Sequence, residues 1–432
     1  MGFERGRALA ERLRRLVPGG GHTYAKGDDQ YPELAPGLIA RGEGCRVWDV
    51  DGNELIEYGM GLRAVTLGHA FPEVVEAVRV SLPLGTNFTR PAEIELTAAE
   101  TFLGMIDGAE MVKFTKDGST ATTAALKLAR AHTGRETVAI CRQHPFFSYD
   151  DWFICTTTMD AGIPAHVLEQ TVRFDYNDLA SLDAVLAAQP IAAVMLEPAR
   201  IDEPAPGFLE GVAERCRAAG AVLVFDETIT GFRWHAEGAQ KLYGVVPDLS
   251  IFGKALANGF SLSALAGRRE IMRLGSRERP EDSVFLLSTT HGAETPSLAA
   301  GIATMEVYRS RPVVEHLHRV GERLRDGVGQ AISRHGLGAQ VKVIGRACNL
   351  FYATGGPDGK PSQAFRTLFL QEIIRRGVIA PSFVVSYSHQ DADIDRTVDA
   401  VDGALGIYAR ALSDGVERHL VGAPSRTVFD RR

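Results

Sequence analysis

The stretch from Ala221 to Lys254 constrains this chain more than any other. An apolar run, Ala221-Val222-Leu223-Val224-Phe225, ends abruptly in Asp226-Glu227. A polar turn follows, Thr228-Ile229-Thr230-Gly231-Phe232-Arg233, and a second apolar run, Leu249-Ser250-Ile251-Phe252-Gly253, ends in Lys254. Continuous apolar runs bounded by turn residues suit strands buried on both faces of a parallel sheet. Such sheets bind ligands just beyond the carboxyl ends of their strands. An Asp and a Lys at two of these ends could therefore face one cavity.

Pyridoxal phosphate is the chemistry that needs such a pair, with Lys254 for the Schiff base and Asp226 to hold the pyridinium proton. Either residue alone reads more simply, as a solvated strand end or a turn acid. Together they favour the cofactor. The rest of the chain is compatible. Its 432 residues are 45% hydrophobic and 23% charged, which suits a globular protein of two or three domains. The formal charge of −7 argues against a general nucleic-acid binder. Five cysteines without metal-ligand spacing read as reduced and mostly buried, with no metal expected. The first residues lack a signal-peptide core and no apolar run is long enough to span a bilayer, so a cytoplasmic protein is expected.

Along the chain, residues 5–17 have the pattern of a short amphipathic helix with Leu9, Leu13 and Leu16 on one side. Cys45 to Tyr58 reads as a hairpin turning at Asp51-Gly52-Asn53. From about Phe71, helices alternate with short apolar strands at Met111–Phe114, Thr137–Cys141, Ala192–Leu196, Val222–Phe225, Leu249–Phe252 and Leu265–Ala266. Helical patterns include Thr120–His132 and Phe208–Ala219. After Pro296, long amphipathic helices flank a strand-like Val341–Ala353. Three divisions are expected: an N-terminal segment and meander (1–70), a large α/β domain (71–296) and a smaller α+β C-terminal domain (297–432). Arg426 to Arg432 reads as a loose tail.

These motifs resemble the class III aminotransferases, pyridoxal-phosphate enzymes of fold type I. The likeness is carried by Val224-Phe225-Asp226-Glu227-Thr228-Ile229-Thr230-Gly231-Phe232-Arg233 and Pro247-Asp248-Leu249-Ser250-Ile251-Phe252-Gly253-Lys254. Within that class the chain is similar to the glutamate-1-semialdehyde aminomutases, from about Pro18 to the last helix. The resemblance implies an α/β fold with a large, mostly parallel sheet, a homodimer with its active site at the subunit interface, and several site residues. Gly118 and Ser119, in Lys116-Asp117-Gly118-Ser119-Thr120, fall on the family's phosphate loop at a helix N-terminus, which suits an anion. Asp117 stands where Ser is usual, and its side chain is expected to point away. Thr228 takes the place of an apolar residue on the ring face. Glu197 matches a family Glu-Pro, with a structural strand-end acid as the other reading. Thr290, in Ser288-Thr289-Thr290-His291-Gly292-Ala293-Glu294-Thr295-Pro296, matches the loop that reaches the partner's phosphate, with Thr289 second. Ala293-Glu294-Thr295 replaces the family's Gly-Asn-Pro there. Phe146 aligns with the ring-stacking aromatic, with core packing as the alternative.

Two departures concern the substrate. Pro18-Gly19-Gly20-Gly21-His22-Thr23-Tyr24-Ala25-Lys26 resembles the aminomutase segment that carries a carboxylate-binding Arg, but Lys26 lacks that bidentate fork. Leu62-Arg63 replaces an aminomutase aromatic. Lys26 and Arg63 are thus candidate substrate-binding residues, or solvated surface charges. With cofactor contacts retained and substrate contacts rewritten, the expected activity is transfer of an amino group from a small-molecule donor to an aldehyde or ketone. An oxidised sugar or aminoglycoside-type intermediate is the suggested acceptor. Glutamate-1-semialdehyde aminomutase chemistry, and a cofactor-dependent epimerase or dehydratase, remain alternatives.

Overall fold

The computed structural model describes residues 1–278 and 283–427. They divide into two compact units, Met1–Phe71 with the chain from Glu315 onward, and Pro72–Val314. The sequence-predicted tail lies outside the described residues from 428 on.

In the first unit, β1 (Ile39–Glu43), β2 (Arg46–Asp49) and β3 (Glu54–Glu57) form an antiparallel meander. The β2–β3 turn is built by Asp49, whose Oδ1 accepts from the backbone N–H of Asp51 at 3.0 Å and of Asn53 at 2.8 Å. Gly52 supplies the positive φ the turn needs.

The second unit holds β4 (Met111–Thr115), β5 (Thr137–Cys141), β6 (Thr171–Phe174), β7 (Ile191–Leu196), β8 (Val222–Asp226), β9 (Leu249–Phe252) and β10 (Ser263–Gly267). They make one sheet in the order β4-β10-β9-β8-β7-β5-β6. Strands β5 to β9 run parallel, and β10 is antiparallel to both neighbours. Alternation divides each strand between two cores. Val138, Ile140, Ala193, Met195, Val222, Val224, Leu249 and Ile251 pack on one face with the helix Gly118–Thr133. Ala139, Cys141, Val194, Leu196, Leu223 and Phe225 pack on the other with Phe208, Leu209, Val212 and Cys216 of the helix Phe208–Ala219. Burial on both faces is why these strands read as unbroken apolar runs. Both helices have explicit stops, Gly134 (φ 67) and Gly220 (φ 63), each left-handed.

The chain then re-enters the first unit with β11 (Val341–Ile344), β12 (Phe351–Thr354) and β13 (Val378–Ile379). The strand-like Val341–Ala353 is an antiparallel hairpin, interrupted by a 3₁₀ turn at Ala347–Asn349. The N-terminal segment and the C-terminal stretch share a unit because β13 joins β3 in parallel, Val378 opposite Ile56 and Ile379 opposite Glu57. The helix Thr295–Ser310 belongs to the large unit, where it packs on Pro72–Ser81 and Glu93–Leu103 and buries Leu298, Ala300 and Met305. Among the described residues, no helix is long and apolar enough to cross a membrane.

Candidate active site

The site grows from the carboxyl ends of β7, β8 and β9. Asp226 closes β8, 5% exposed, and its Oδ1 accepts from Thr228 N at 2.9 Å, which turns the chain sharply off the sheet. Burial pushes its carboxyl above the usual range, against the hydrogen bond from Thr228 and the Lys254 charge. Lys254 begins a 3₁₀ turn after β9 with φ 43, a left-handed conformation that costs a side-chain-bearing residue of the order of 1–3 kcal/mol. Strain of that kind persists only where the surroundings impose it. Gly253 leaves room here, because an added methyl group would sit 2.6 Å from Ser263 Oγ and force that side chain to move.

Thr228 binds the parts together. A methyl group placed on Gly118 would lie 3.2 Å from Thr228 Oγ1, and one on Gly253 would lie 3.3 Å from its Cγ2. One threonine side chain therefore touches both the glycine before Lys254 and the first residue of the helix Gly118–Thr133. Its hydroxyl is buried and stands beside the Asp226 carboxyl. At the helix start, the Asp117 carboxylate turns back onto Thr120, accepting from its N at 2.8 Å and its Oγ1 at 3.0 Å. An N-cap of this kind stabilises a helix by about 1 kcal/mol. Ser119 Oγ accepts from Tyr149 N at 3.2 Å, and Thr122 Oγ1 donates to Phe147 O at 3.0 Å. These bonds lay the segment carrying Phe146 along the same helix. Phe146 is 47% exposed, with its ring edge-on to Phe153 at 5.7 Å, whereas Phe147 is buried.

Glu197 follows β7 and is buried. Its N–H donates to His144 Nδ1 at 3.0 Å, so that imidazole carries its proton on Nε2. His144 was not singled out from the sequence; its bond joins residues 53 apart, which no local pattern reveals. Thr290 presents its carbonyl to Asn87 Nδ2 at 3.0 Å. Its loop is pinned by Lys116, whose Nζ donates to Glu294 Oε1 at 2.8 Å and Ser297 Oγ at 3.2 Å. The hydrogen bond from Lys116 holds the Glu294 carboxyl below the usual range. The large unit thus gathers Gly118, Ser119, Asp226, Thr228 and Lys254, with Phe146 and Glu197 on segments bonded to the same framework.

Glu227 diverges from its neighbour. It is fully buried and accepts from Ala239 N at 2.9 Å, from Gln240 N at 2.6 Å and from the Thr230 hydroxyl, capping the short helix Ala239–Tyr243. The two candidate substrate residues belong to the other unit. Lys26 ends the 3₁₀ turn Tyr24–Lys26 and is exposed. Arg63 has φ 75 and donates through Nε to Asn349 Oδ1 at 2.8 Å and through Nη2 to Ser382 Oγ at 3.2 Å.

Comparison with known proteins identifies the family. Residues 26–404 match the family described as aminotransferase class-III. The glutamate-1-semialdehyde 2,1-aminomutase of Syntrophobacter fumaroxidans is 32% identical over 427 residues, covering 93% of this chain and 97% of its own. Among solved structures, the FumI protein of Sphingopyxis sp. MTA144, in its PLP internal aldimine form, superposes with a TM-score of 0.86 at 31% identity, covering 95% of this chain and 98% of that one. An omega-transaminase from Sphaerobacter thermophilus gives a TM-score of 0.82 at 27% identity, over 94% of this chain and 98% of that one.

Proposed function

Because this chain belongs to the class III aminotransferases, enzymes that work with pyridoxal phosphate, we propose that it moves an amino group from a small-molecule donor to an aldehyde or ketone. The suggested acceptor is an oxidised sugar or aminoglycoside-type intermediate. The carrying observation is the strained Lys254 beside the buried Asp226.

The residues present fit the cofactor. A buried carboxyl suits a protonated ring nitrogen, and the buried hydroxyl of Thr228 offers a hydrogen bond beside Gly118. In this reading Lys254 would hold the cofactor covalently, Gly118, Ser119 and the free N–H groups of their helix would hold its phosphate, and Phe146 and Thr228 would contact its ring. Glu197 is assigned to the same cofactor site. When bound, pyridoxal phosphate supplies an electron sink for charge developing at the substrate carbon. Asp226 would keep a proton on the ring nitrogen. The Lys254 amine would serve as the base that takes up and gives back the substrate proton. Thr290 would reach the phosphate of a partner subunit, which makes the working form a homodimer. Lys26 and Arg63 are assigned to the substrate, and the protein to the cytoplasm.

Similarity to the aminomutases at 32% identity supports a second reading, an isomerase that keeps the nitrogen within one substrate. Lys26 in place of a bidentate arginine favours the first. The test is spectral. The purified yellow protein is mixed with L-glutamate, L-glutamine or another amine in turn. Loss of the cofactor band with release of one equivalent of oxo-acid is expected. No loss with any donor would overturn the aminotransferase reading in favour of the mutase, epimerase or dehydratase alternatives.

A further inference from the structure

Asp117 precedes the proposed phosphate loop and has no part in the function proposed above. It is the N-cap of the helix Gly118–Thr133, on extended backbone (φ −153, ψ 163), and its side chain folds back over the first turn. Its Oδ1 accepts from Thr120 N at 2.8 Å, and both carboxylate oxygens accept from Thr120 Oγ1 at 3.0 Å. Thr115 Oγ1 donates to Asp117 O at 2.8 Å, which ties the residue to the end of β4. Asp117 is half-buried, so water screens its charge only in part.

This arrangement opposes anion binding in two ways. A helix N-terminus attracts an anion through free N–H groups and about half a positive charge. The carboxylate takes the Thr120 N–H for itself, which leaves fewer donors on that turn. Its full negative charge also outweighs the positive end of the helix. The preceding lysine does not restore the balance. Lys116 Nζ donates to Glu294 Oε1 at 2.8 Å and to Ser297 Oγ at 3.2 Å, so its charge is matched by that of Glu294.

We propose that Asp117 loosens the grip on the cofactor phosphate, so that the cofactor is retained chiefly by its bond to Lys254, and its aminated form, which cannot make that bond, dissociates. The inference rests on the placement of the phosphate at Gly118 and Ser119 and adds a regulation of that same site: the loaded state depends on the supply of free cofactor. A neutral N-cap keeps the helix and removes the repulsion, since Asn and Ser cap a helix as well as Asp does. For a phosphate dianion about one helical turn from a carboxylate, that repulsion changes a binding constant by about tenfold.

The test measures binding rather than turnover. The full chain, freed of cofactor, is titrated with pyridoxamine phosphate, with pyridoxamine and with pyridoxal phosphate, and the change in intrinsic fluorescence gives each Kd. Pyridoxamine phosphate should bind Asp117→Asn and Asp117→Ser about tenfold more tightly than wild type. The gain should shrink in about 0.5 M salt, which screens the repulsion. Pyridoxamine, which lacks the phosphate, should bind all three proteins alike. Pyridoxal phosphate should bind wild type much more tightly than pyridoxamine phosphate. A tighter complex does not arise from a damaged fold, so the expected direction separates charge from structure. Equal or weaker binding of pyridoxamine phosphate by both variants, an equal gain for pyridoxamine, or matching wild-type affinities for the two phosphates overturns the proposal. A phosphate that adds nothing to pyridoxamine binding in any of the three proteins refutes the placement at Gly118 and Ser119, and the proposal falls with it. None of these outcomes depends on the reaction catalysed, so the aminotransferase reading stands or falls by its own spectral test.

Discussion

Glu227→Gln is expected to erase a pH dependence of stability that the wild-type protein carries. The Glu227 carboxyl is fully buried, and burial pushes it from 4.5 up to about 7, although Thr230, Gln240 and Ala239 all donate to it; the nearby Asp226 adds repulsion. In the unfolded chain it titrates near the ordinary 4.5. Folding therefore takes up a proton in this window. The extra stability is fully present below 4.5 and is lost as the pH rises through about 7. That shift is worth roughly 3 kcal/mol. Unfolding a unit of roughly 240 residues at about 2.1 cal/mol/K per residue makes this about 6 °C in Tm. Glutamine cannot titrate. Its NH₂ faces a backbone N–H and so costs some stability, but by the same amount at every pH. The Tm difference between wild type and Glu227→Gln should thus fall by about 6 °C between acid and mildly alkaline buffer, read by scanning fluorimetry on both holoenzymes. A difference constant to within about 1 °C would mean that the three donors keep the carboxylate ionised throughout, and the reasoning would fail.

Three further outcomes follow from the same geometry. Lys254→Ala should abolish turnover, and full activity without added amine would sink the proposed scheme. Thr228→Val, which keeps the shape of a side chain wedged between Gly118 and Gly253, should weaken pyridoxal-phosphate binding by about tenfold through loss of one hydrogen bond; an unchanged Kd by fluorescence titration removes the hydroxyl from the cofactor's partners. All five cysteines are free and buried, and burial pushes Cys216 up to about 12. The native protein should therefore leave a disulfide reagent nearly unreacted until denaturant exposes five thiols, and rapid native reaction of even one would contradict that packing.

The sheet was legible because burial on both faces forces unbroken apolar runs, and Val222–Phe225 and Leu249–Phe252 have no polar position to blur them. The edge strand Thr171–Phe174 was missed, since it carries Arg173 and only its ends are buried. The expected N-terminal helix forms, Glu4–Leu16, with Leu9 and Leu13 half-buried, yet its packing is not set by the leucines. Its leucines suggested an apolar stripe, but Leu16 is 72% exposed and the buried positions are Gly6 and Ala10. Gly6 is small enough for its backbone to press against Gly37 and to donate to Asp51 Oδ2 at 2.7 Å, so close approach decided the packing there, not hydrophobic periodicity.

The site divides along the same line. Asp226 and Lys254 were readable because each ends a run whose direction is fixed, and a strand end is a place that sequence alone can locate. Glu227, one residue on, could not be separated from Asp226 by any local signal. Only the fold shows that one carboxyl caps a helix through three donors while the other stands beside Lys254. His144 is harder still, because what distinguishes it is a bond to a residue 53 positions away. Residues that define the cofactor chemistry sit where the sheet must place them. The proposed substrate residues, Lys26 and Arg63, lie outside the sheet, where composition is free to vary. The cofactor was therefore readable from the chain, and the substrate was not.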